Sequence, residues 1–398
     1  MNVLDSELTR SALLRAGFQQ ADSFASADVI LFNTCSVRQH AEDKVYSALG
    51  RLKGWKEEKP DSVLGLLGCM AQKDQKLIFQ RAPHVDFVLG PGRLDILVET
   101  IEQLFDAPKR AKTICVSLPR ATNDHTDLLE SFRQYNPDRM IPDAQQAESA
   151  LVRIMFGCDQ FCSYCIVPFV RGPEQSRPPQ DIVDEVQHLA DKGVAKITLI
   201  GQTVNSYRYQ EGKTQTRLAD LLYRISDIAG LEQIDFVTNY PRGIDNDLLQ
   251  AVRDLPKVLK HFHVPAQSGS DSVLKRMNRH YTAAEYREMT DRIYGTIPGA
   301  TMTSDFIVGF CGETEDDFEQ TVDLVKYCRF RNSFIFKYSE RAGTKAVELY
   351  ADDVPEEVKK YRNNRLLEIQ ISISRSTGGN GEIISGSRLG DIRNGETP

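Results

Sequence analysis

The sequence of 398 residues has no apolar segment long enough to cross a membrane. Its longest uninterrupted apolar runs, such as SVLGLLGCM at 62–70, are far shorter than the roughly 20 residues that a membrane helix needs. The N-terminus also lacks the basic start, apolar core and small-residue cleavage site of a secretory signal. We therefore predict a cytoplasmic protein without a membrane partner.

Cysteine is scarce, and positive charge is not in excess. Eight cysteines are too few for a disulfide scaffold in a chain of this length. The formal net charge of −7 excludes a uniformly basic surface for nucleic acid, while a local basic groove stays open. With 41% apolar and 26% charged residues, the composition is that of a globular protein, and the length predicts two domains.

From Leu151 onward, short strand patterns alternate with amphipathic helix patterns. In PQDIVDEVQHLADKG, Pro179 stands near a helix start and Gly193 marks its end. Repeated βα units predict a parallel sheet, either an open doubly wound sheet or a partial or full barrel. In both architectures, ligands bind at the carboxyl ends of the strands. The six strand candidates lie near Leu151, Lys196, Gln233, Lys260, Thr301 and Ser333.

Residues 1–108 form a second α/β unit. Asp5 and Ser6 are predicted to cap its first helix, and two strand patterns follow, each with a helix after it. Cys35 and Cys69 come just past the ends of these strands. Because parallel strands place such loops at one edge of a sheet, we expect the two thiols to lie near each other.

Two stretches of the chain lack the regular spacing of apolar residues that is typical of helices and strands. Residues 118–147 are rich in Asp, Asn, Gln, Arg and Pro, which is typical of a linker. The end of the chain is rich in Gly and Ser and has no strand alternation. We therefore predict an N-terminal domain at 1–108, a linker at 109–147, a second α/β domain at 148–372 and an irregular tail at 373–398.

The segment FGCDQFCSYCIVPFVRG carries three thiols in one loop, at Cys158, Cys162 and Cys165. Structural zinc needs four ligands, usually as two close pairs, and His188 alone is a poor fourth ligand. Three cysteines that hold a [4Fe–4S] cluster leave one iron open, as a catalytic cluster requires. We interpret the loop as a cluster site, with zinc as the alternative.

This cysteine spacing, with Tyr164 before the last thiol, resembles the radical S-adenosylmethionine (SAM) enzymes. The resemblance narrows to the methylthiotransferases and runs from Met1 to about Gln370. It implies a partial (βα)6 barrel of the TIM type, preceded by a flavodoxin- or Rossmann-like methylthiotransferase domain. The matching blocks, which occur in the same order, are NTCSVRQHAEDKVYSALG, LGCMAQ, GCDQFCSYCIVPFVRGPEQSRP, LIGQTVNSY, HVPAQSGSDSVLKRMNRHYT, SDFIVGFCGETEDDF and YSERAGTKA.

The resemblance also implies the chemistry. SAM bound at the open iron is cleaved to a 5′-deoxyadenosyl radical, which attacks carbon 2 of an adenine, where acid–base catalysis has little to act on. A second SAM donates the methyl group. The implied partners of the monomeric enzyme are tRNA and an electron donor of the flavodoxin or ferredoxin type. The positions implied to contact the cofactor or substrate are Tyr164, Gly201, Gln202, Asn205, Asp305 and Gly309.

The substrate follows from finer features of the motifs. NTCSVR, with Ala41, Glu42 and Lys44 after it, and GQTVNSY resemble most the tRNA enzymes that act on N6-isopentenyladenosine beside the anticodon. Two sibling substrates stay open, namely threonylcarbamoyl-adenosine in tRNA and an aspartate of a ribosomal protein. An inactive truncated fragment and a non-catalytic, metal-stabilised RNA-binding protein are further alternatives.

In the family, a second [4Fe–4S] cluster, bound by three cysteines of the N-terminal domain, supplies the sulfur. Cys35 and Cys69 match two of these ligands. The third belongs to a block resembling GCQMN, of which this sequence holds only Met1 and Asn2. The small β-barrel (TRAM domain) that grips tRNA in relatives has no counterpart in the irregular tail.

We predict that this chain assembles the SAM-binding cluster at Cys158, Cys162 and Cys165 but no stable auxiliary cluster at Cys35 and Cys69. Two thiols hold a cubane cluster poorly unless a further ligand helps. Anaerobic reconstitution followed by iron and sulfide analysis measures this. We expect about four irons per chain, and about eight would contradict the prediction.

Overall fold

The computed structural model describes residues 1–36, 39–106, 112–116 and 148–376, which form two α/β units. The N-terminal unit consists of α1 (Asn2–Arg15), β1 (Val29–Thr34), α2 (Gln39–Glu58), β2 (Val63–Gly68), α3 (Cys69–Asp74), α4 (Lys76–Arg81), β3 (Phe87–Leu89), a short 3-10 turn (Leu94–Ile96), α5 (Leu97–Asp106) and β4 (Thr113–Cys115). Its four strands form a parallel sheet in the order β1-β2-β3-β4.

Strand β2 shows why this sheet has helices on both faces. All six of its residues, VLGLLG, are buried, as expected for a parallel strand between two helix layers. Its apolar residues pack against α1 and α5 on one face and against α2 and α4 on the other. Gly65 leaves room for the ring of Phe87 on the neighbouring strand, because a Cβ at Gly65 would lie 2.2 Å from that ring.

The second unit repeats strands and helices along the chain. Its elements are β5 (Ser149–Arg153), β6 (Met155–Phe156), α6 (Val167–Val170), β7 (Gln175–Ser176), α7 (Pro179–Asp191), β8 (Lys196–Ile200), β9 (Arg208–Glu211), β10 (Thr214–Arg217), α8 (Leu218–Ser226), β11 (Gln233–Phe236), α9 (Asn246–Asp254), β12 (His261–His263), α10 (Asp271–Arg276), α11 (Ala283–Thr296), β13 (Thr301–Val308), α12 (Glu315–Cys328), β14 (Asn332–Lys337), α13 (Lys345–Leu349) and α14 (Glu356–Ser376).

The order of the long strands decides between the two predicted architectures. Strands β5, β8 and β11 pair in parallel and in sequence order, and so do β12, β13 and β14. A parallel bridge pairs Ile234 of β11 with Val258, which lies just before β12 in the chain. A doubly wound sheet would reverse its strand order partway, whereas a barrel keeps it. The partial six-stranded barrel is therefore confirmed, as are the six predicted strands.

Strand β13 shows the two faces of the barrel wall. Met302, Phe306 and Val308 are fully buried and pack against the surrounding helices. Thr303 and Asp305, which alternate with them, are half-buried on the opposite face. Because side chains alternate along a strand, Thr303 and Asp305 line the inner face of the barrel. We call this inner face the barrel interior.

The N-terminal unit packs against the inner face of the first barrel strands. Its core includes Ile200 and partly buried Leu151 and Val237, which lie on or next to β5, β8 and β11. At the centre of this contact, Asp5 of α1 is 2% exposed and forms ion pairs with Arg153 of β5 and, at 2.9 Å, with Arg171. The two units therefore share one buried interface.

The prediction that Asp5 caps the first helix was wrong. Helix α1 begins at Asn2, and Asp5 lies within its first turn, buried between the two arginines. A cap is inferred from neighbouring residues, whereas this role depends on Arg153 and Arg171, which are far away in sequence. Local sequence therefore could not distinguish the two roles.

Two domain boundaries differ from their predicted positions. The N-terminal sheet continues past residue 108, because β4 pairs in parallel with β3. The last helix of the barrel unit runs to Ser376, beyond the predicted end at 372. The rest of the predicted linker, 117–147, and the tail at 377–398 lie outside the described residues. The hairpin of β9 and β10 had not been predicted.

Within the described parts of the chain, no helix combines the length and the apolar character that crossing a membrane requires.

We predict that Asp5→Asn lowers the free energy of unfolding by about 3–5 kcal/mol, because it leaves two buried guanidinium groups without their anion. Urea unfolding of the full chain, followed by circular dichroism, measures the change. Asp22→Asn is the matched control, because Asp22 is exposed in the loop after α1. Equal stability of the two variants would contradict the prediction.

The same interaction predicts a dependence on pH. Burial raises the pKa of Asp5, but Arg153 and Arg171 outweigh burial and lower the pKa below its usual value. A carboxylate with a lowered pKa in the folded state stabilises the fold above the ordinary aspartate range, and this contribution is lost as the pH falls through the lowered pKa. The difference between wild type and Asp5→Asn should therefore shrink at acid pH.

Candidate metal and cofactor site

The cysteine loop begins where β6 ends, and Gly157 makes the turn. Gly157 has φ +61°, in the left-handed region that favours glycine. A Cβ at this position would lie 1.8 Å from the carbonyl oxygen of Pro173. Beside it, the Cys158 amide donates a hydrogen bond to the Gly172 carbonyl at 3.2 Å. The antiparallel pair of β6 and β7 therefore closes the base of the loop.

The body of the loop is anchored to later parts of the barrel. The Cys165 amide donates to the Cys162 carbonyl at 3.0 Å, which makes a tight turn between these two cysteines. The Ser163 amide donates to the Met277 carbonyl at 2.9 Å, and the Ala346 amide donates to the Ser163 carbonyl at 2.7 Å. The segment after α10 and the first turn of α13 thus hold the thiols in place.

The three thiols influence one another electrostatically. Burial, followed by the neighbouring Cys162, raises the pKa of Cys165 to about 12, and Cys158 adds to this effect. Burial also raises the pKa of Cys158, and Cys162 contributes in the same direction. A negative charge on one thiolate therefore makes deprotonation of the neighbouring thiols less favourable. A bound metal reverses this balance, because it binds the deprotonated sulfurs and offsets their mutual repulsion.

The donor set fits the cluster that the family resemblance implies. Three thiols on one short, anchored loop supply three of the four iron ligands of a [4Fe–4S] cluster. Among the described residues, no group of three or more His, Cys, Asp and Glu side chains has the arrangement of a metal site. The three thiols therefore match the cluster in the chemistry of their donor atoms and in the position of their loop, and not in a preformed arrangement of the sulfurs.

The structure places Cys35 and Cys69 on neighbouring strand ends. Thr34 and Gly68 are paired in register at the ends of β1 and β2, and each is followed by one of the cysteines. Burial raises the pKa of Cys69, Arg171 lowers it, and Cys35 raises it further. The two thiols thus lie close enough to interact. Cys115 ends β4, two strands away from β2 in the sheet order.

Cys69 also touches the cysteine loop of the barrel unit. It forms a small buried apolar cluster with Ile166 and Val170, and Ile166 directly follows Cys165. Arg171, at the end of the same segment, lies close enough to Cys69 to lower the pKa of its thiol. The segment 166–171 therefore separates the two groups of cysteines and contacts both of them.

Asn205 uses both side-chain polar atoms on one backbone segment. Its Nδ2 donates to the Tyr240 carbonyl at 2.7 Å, and its Oδ1 accepts from the Tyr240 amide at 2.8 Å. A Cβ at Gly243 would lie 2.5 Å from Asn205 Nδ2. Asn205 therefore fixes the loop after β11. Its predicted contact with cofactor or substrate stays a prediction.

The two candidate glycines have packing roles in the structure. A Cβ at Gly201, at the end of β8, would lie 2.5 Å from Met155 Cγ. Gly309 follows β13 with φ +70°, and a Cβ there would lie 2.3 Å from Lys359 Cγ. The Gly309 amide donates to Glu313 Oε2 at 2.6 Å. Both positions require the absence of a side chain, and a role in shaping the cofactor pocket remains a prediction.

The remaining candidates lie in different surroundings. The Tyr164 ring meets Phe310 edge to face, with 6.4 Å between the ring centroids, in a satellite apolar cluster. Asp305 lies in the barrel interior, with its Oδ2 3.5 Å from His263 Nε2. Gln202 is half-buried in the bend after β8. Of these three, Asp305 faces the space where a ligand of the barrel would bind.

Two histidines of the barrel interior had been given no role from the sequence. His261 shares hydrogen bonds with Thr301 at 2.8 Å and Thr303 at 3.1 Å, and His263 shares one with Thr303 at 3.0 Å. Burial, followed by His263, lowers the pKa of His261 to about 4, so this imidazole is neutral at physiological pH. The sequence feature that indicates their common position is their spacing of two residues, which places both side chains on one face of a strand.

Comparison with known sequences agrees with this division of the chain. The Radical SAM superfamily matches residues 152–325, and the uncharacterized protein family UPF0004 matches residues 1–90. The chain is 51% identical to the tRNA-2-methylthio-N(6)-dimethylallyladenosine synthase of Rhodopirellula baltica, over 94% of this chain and 78% of that protein. It is 42% identical to the synthase of the same name from Desulforamulus reducens, with the same coverage.

Solved structures share the fold at low identity. The radical S-adenosylmethionine methyltransferase TsrM from Kitasatospora setae, with cobalamin and a [4Fe–4S] cluster bound, has a TM-score of 0.60 and 14% identity, over 84% of this chain and 72% of that chain. The cobalamin-dependent S-adenosylmethionine radical enzyme OxsB has a TM-score of 0.51 and 12% identity, over 87% and 49%. At these identities the likeness concerns the fold alone.

We predict that Gly157→Ala prevents the cysteine loop from forming and greatly reduces the iron bound by the reconstituted protein. Gly212→Ala is the matched control, because Gly212 also has positive φ but no atom within 4 Å of an added Cβ. The control should show only the strain of a left-handed alanine, about 1–2 kcal/mol. Iron analysis and urea unfolding separate the two effects, and equal iron content in both variants would contradict the prediction.

Proposed function

The chain belongs to the radical SAM methylthiotransferases, and on that premise we propose that it converts N6-isopentenyladenosine beside the tRNA anticodon, at position 37, into its 2-methylthio derivative. The observation that carries the proposal is the 51% identity, over nearly the whole chain, to a tRNA-2-methylthio-N(6)-dimethylallyladenosine synthase, combined with the anchored three-cysteine loop. Dimethylallyl and isopentenyl are two names for the same N6 substituent.

In this function, Cys158, Cys162 and Cys165 would hold a [4Fe–4S] cluster at the carboxyl end of the first barrel strand. When bound, the cluster and SAM supply the one-electron cleavage of the SAM sulfonium that starts the reaction, and a second SAM supplies the methyl group. The chain itself anchors the loop through Met277 and Ala346, so that the thiols keep their position relative to the barrel. We propose that the cluster, when bound, faces the barrel interior.

The barrel interior would bind the adenine that is modified. Its walls carry His261, His263, Thr303 and Asp305, which are half-buried and offer several hydrogen-bonding atoms. Because the imidazole of His261 is neutral at physiological pH, it adds no charge to this wall. Such groups suit a neutral adenine, whose ring nitrogens accept hydrogen bonds and whose N6–H donates one. The inner face thus orients the base toward the cysteine loop.

Cys35 and Cys69 would be the two thiols of this chain at the site that provides the sulfur, where a further ligand is needed before an auxiliary cluster is held stably. Cys69 packs against Ile166 and Val170, and Arg171 lowers the pKa of its thiol, so this pair of thiols lies next to the segment that follows the cysteine loop. A sulfur source at this place would face the substrate site from the N-terminal unit. The arrangement requires both units to be docked.

We also infer the setting in which the enzyme acts. It would work as a monomer in the cytoplasm, with tRNA as substrate and a flavodoxin or ferredoxin as electron donor. The N-terminal domain would comprise the sheet up to Cys115, and the catalytic domain would comprise residues 148–376.

The proposed function predicts three products from one anaerobic assay. The reconstituted protein, given SAM, a reductant, sulfide as the source of sulfur and tRNA that carries N6-isopentenyladenosine, should form 5′-deoxyadenosine, S-adenosylhomocysteine and the 2-methylthio nucleoside. Mass spectrometry of the digested tRNA and of the small molecules measures all three. Cys162→Ala should reduce all three to background, because the loop then holds only two thiols.

Parallel reactions distinguish the sibling substrates. In one, the tRNA carries threonylcarbamoyl-adenosine, and in the other, the substrate is an aspartate-containing ribosomal protein. Methylthiolation of either substrate in preference to the isopentenyladenosine tRNA would contradict the proposed substrate, whereas the proposed reaction type would still stand. A protein that holds its cluster but forms no 5′-deoxyadenosine would reject the chemistry as well.

A further inference from the structure

Arg279 reaches the cysteine loop from a distant part of the barrel unit. It lies between α10 and α11, and its Nη1 donates a hydrogen bond to Cys162 Sγ at 3.2 Å. On its other sides, Nη2 donates to the Pro265 carbonyl at 2.9 Å, and Nε donates to Tyr281 Oη at 3.0 Å. Donors on three nitrogens therefore fix the plane of the guanidinium group.

Two aromatic rings hold this guanidinium group. Its central carbon lies 4.7 Å from the ring centroid of Tyr240 and 5.0 Å from that of Tyr281. The rings meet each other edge to face, with 5.6 Å between their centroids. Tyr281 Oη is itself anchored, since it donates to the Ala266 carbonyl at 2.7 Å. The cation–π contacts favour a guanidinium at this place and limit its movement away from the sulfur.

The charge of Arg279 has no carboxylate partner within the described parts of the chain. A desolvated cation ordinarily requires an anion beside it. The group that Nη1 contacts is a thiol, which becomes an anionic sulfur when it binds metal. The anion that balances Arg279 is therefore supplied when Cys162 serves as a ligand.

We propose that Arg279 is a positioning residue that raises the reduction potential of the cluster held by Cys158, Cys162 and Cys165, through its hydrogen bond and positive charge at the Cys162 sulfur. The inference rests on the cluster of the proposed function and is independent of the RNA substrate. Hydrogen bonds to ligand sulfurs and nearby charge are among the properties of a protein that set the potential of an iron–sulfur cluster.

The sign of the change in reduction potential follows from the charge of Arg279. Reduction adds one electron from an external one-electron reductant to the cluster, and no proton moves, because Arg279 stays protonated in both states. The reduced cluster carries one more negative charge and is therefore stabilised more strongly by a cation at the ligand sulfur. The desolvated surroundings of Arg279 increase this difference relative to water. Without the cation, reduction becomes harder.

The test is a redox titration of the SAM-free, reconstituted protein, followed by electron paramagnetic resonance of the reduced cluster. Arg279→Gln should shift the midpoint potential to more negative values by the equivalent of about a tenfold change in the reduction equilibrium, about 59 mV for one electron. Arg276→Gln is the matched control. Arg276 lies in the same segment, and its side chain donates to the carbonyls of Cys311 and Gly312. An unchanged midpoint in Arg279→Gln, or an equal shift in both variants, overturns the proposal.

A second measurement uses the unaltered sequence and does not depend on how the variant folds. The protein is labelled with 15N in arginine only, and the reduced cluster is studied by pulsed electron paramagnetic resonance. A 15N hyperfine coupling is expected, because a guanidinium nitrogen contacts a ligand sulfur. Its absence overturns the proposal even if Arg279→Gln loses its cluster.

The outcomes separate this inference from the proposed function. If the wild-type protein binds no [4Fe–4S] cluster, the proposed function fails and the inference fails with it. If the cluster forms, but either the midpoint or the 15N spectrum shows no effect of Arg279, the inference fails alone.

Discussion

The buried contact of Asp5 with two arginines holds the two units in the arrangement on which the sulfur sites depend. Arg153 belongs to the first barrel strand, and Arg171 ends the segment that follows the cysteine loop. Burial lowers the pKa of Arg171, but the neighbouring Cys69 and Asp5 outweigh burial and raise this pKa. One carboxylate thus fixes helix α1, the barrel wall and a thiol of the N-terminal unit relative to one another.

A parallel barrel with its strands in sequence order brings the loops after successive strands to one rim, and hydrogen bonds then join these loops. Asn205, after the second long strand, fixes the backbone of Tyr240, after the third. The ring of Tyr240 holds Arg279, which donates to Cys162 in the loop after the first. The cysteine loop is therefore held by residues from several βα units, and its position depends on closure of the barrel wall.

The sequence was informative where structure depends on neighbouring residues. Alternating strand and helix patterns, with proline and glycine at helix ends, were sufficient for the six strands and for the helices between them. The spacing of Cys158, Cys162 and Cys165 predicts a cluster site in the loop that follows the first of these strands. The interpretation of Asp5 as a cap failed, and the contact between Arg279 and Cys162 was not foreseen. Each of these two side chains is paired with residues more than a hundred positions away, and no local pattern encodes that pairing.

The two sulfur sites follow a common electrostatic rule, although they belong to different units. Each has an arginine beside one of its cysteines. Arg171 lowers the pKa of Cys69, and Arg279 donates a hydrogen bond to Cys162 Sγ. Only Arg171 has a carboxylate of its own, since it pairs with Asp5. Its charge is therefore already partly balanced before any metal binds, whereas the charge of Arg279 is directed at the sulfur. Similar contacts thus serve docking of the units in one place and, as we propose, the redox balance of the cluster in the other.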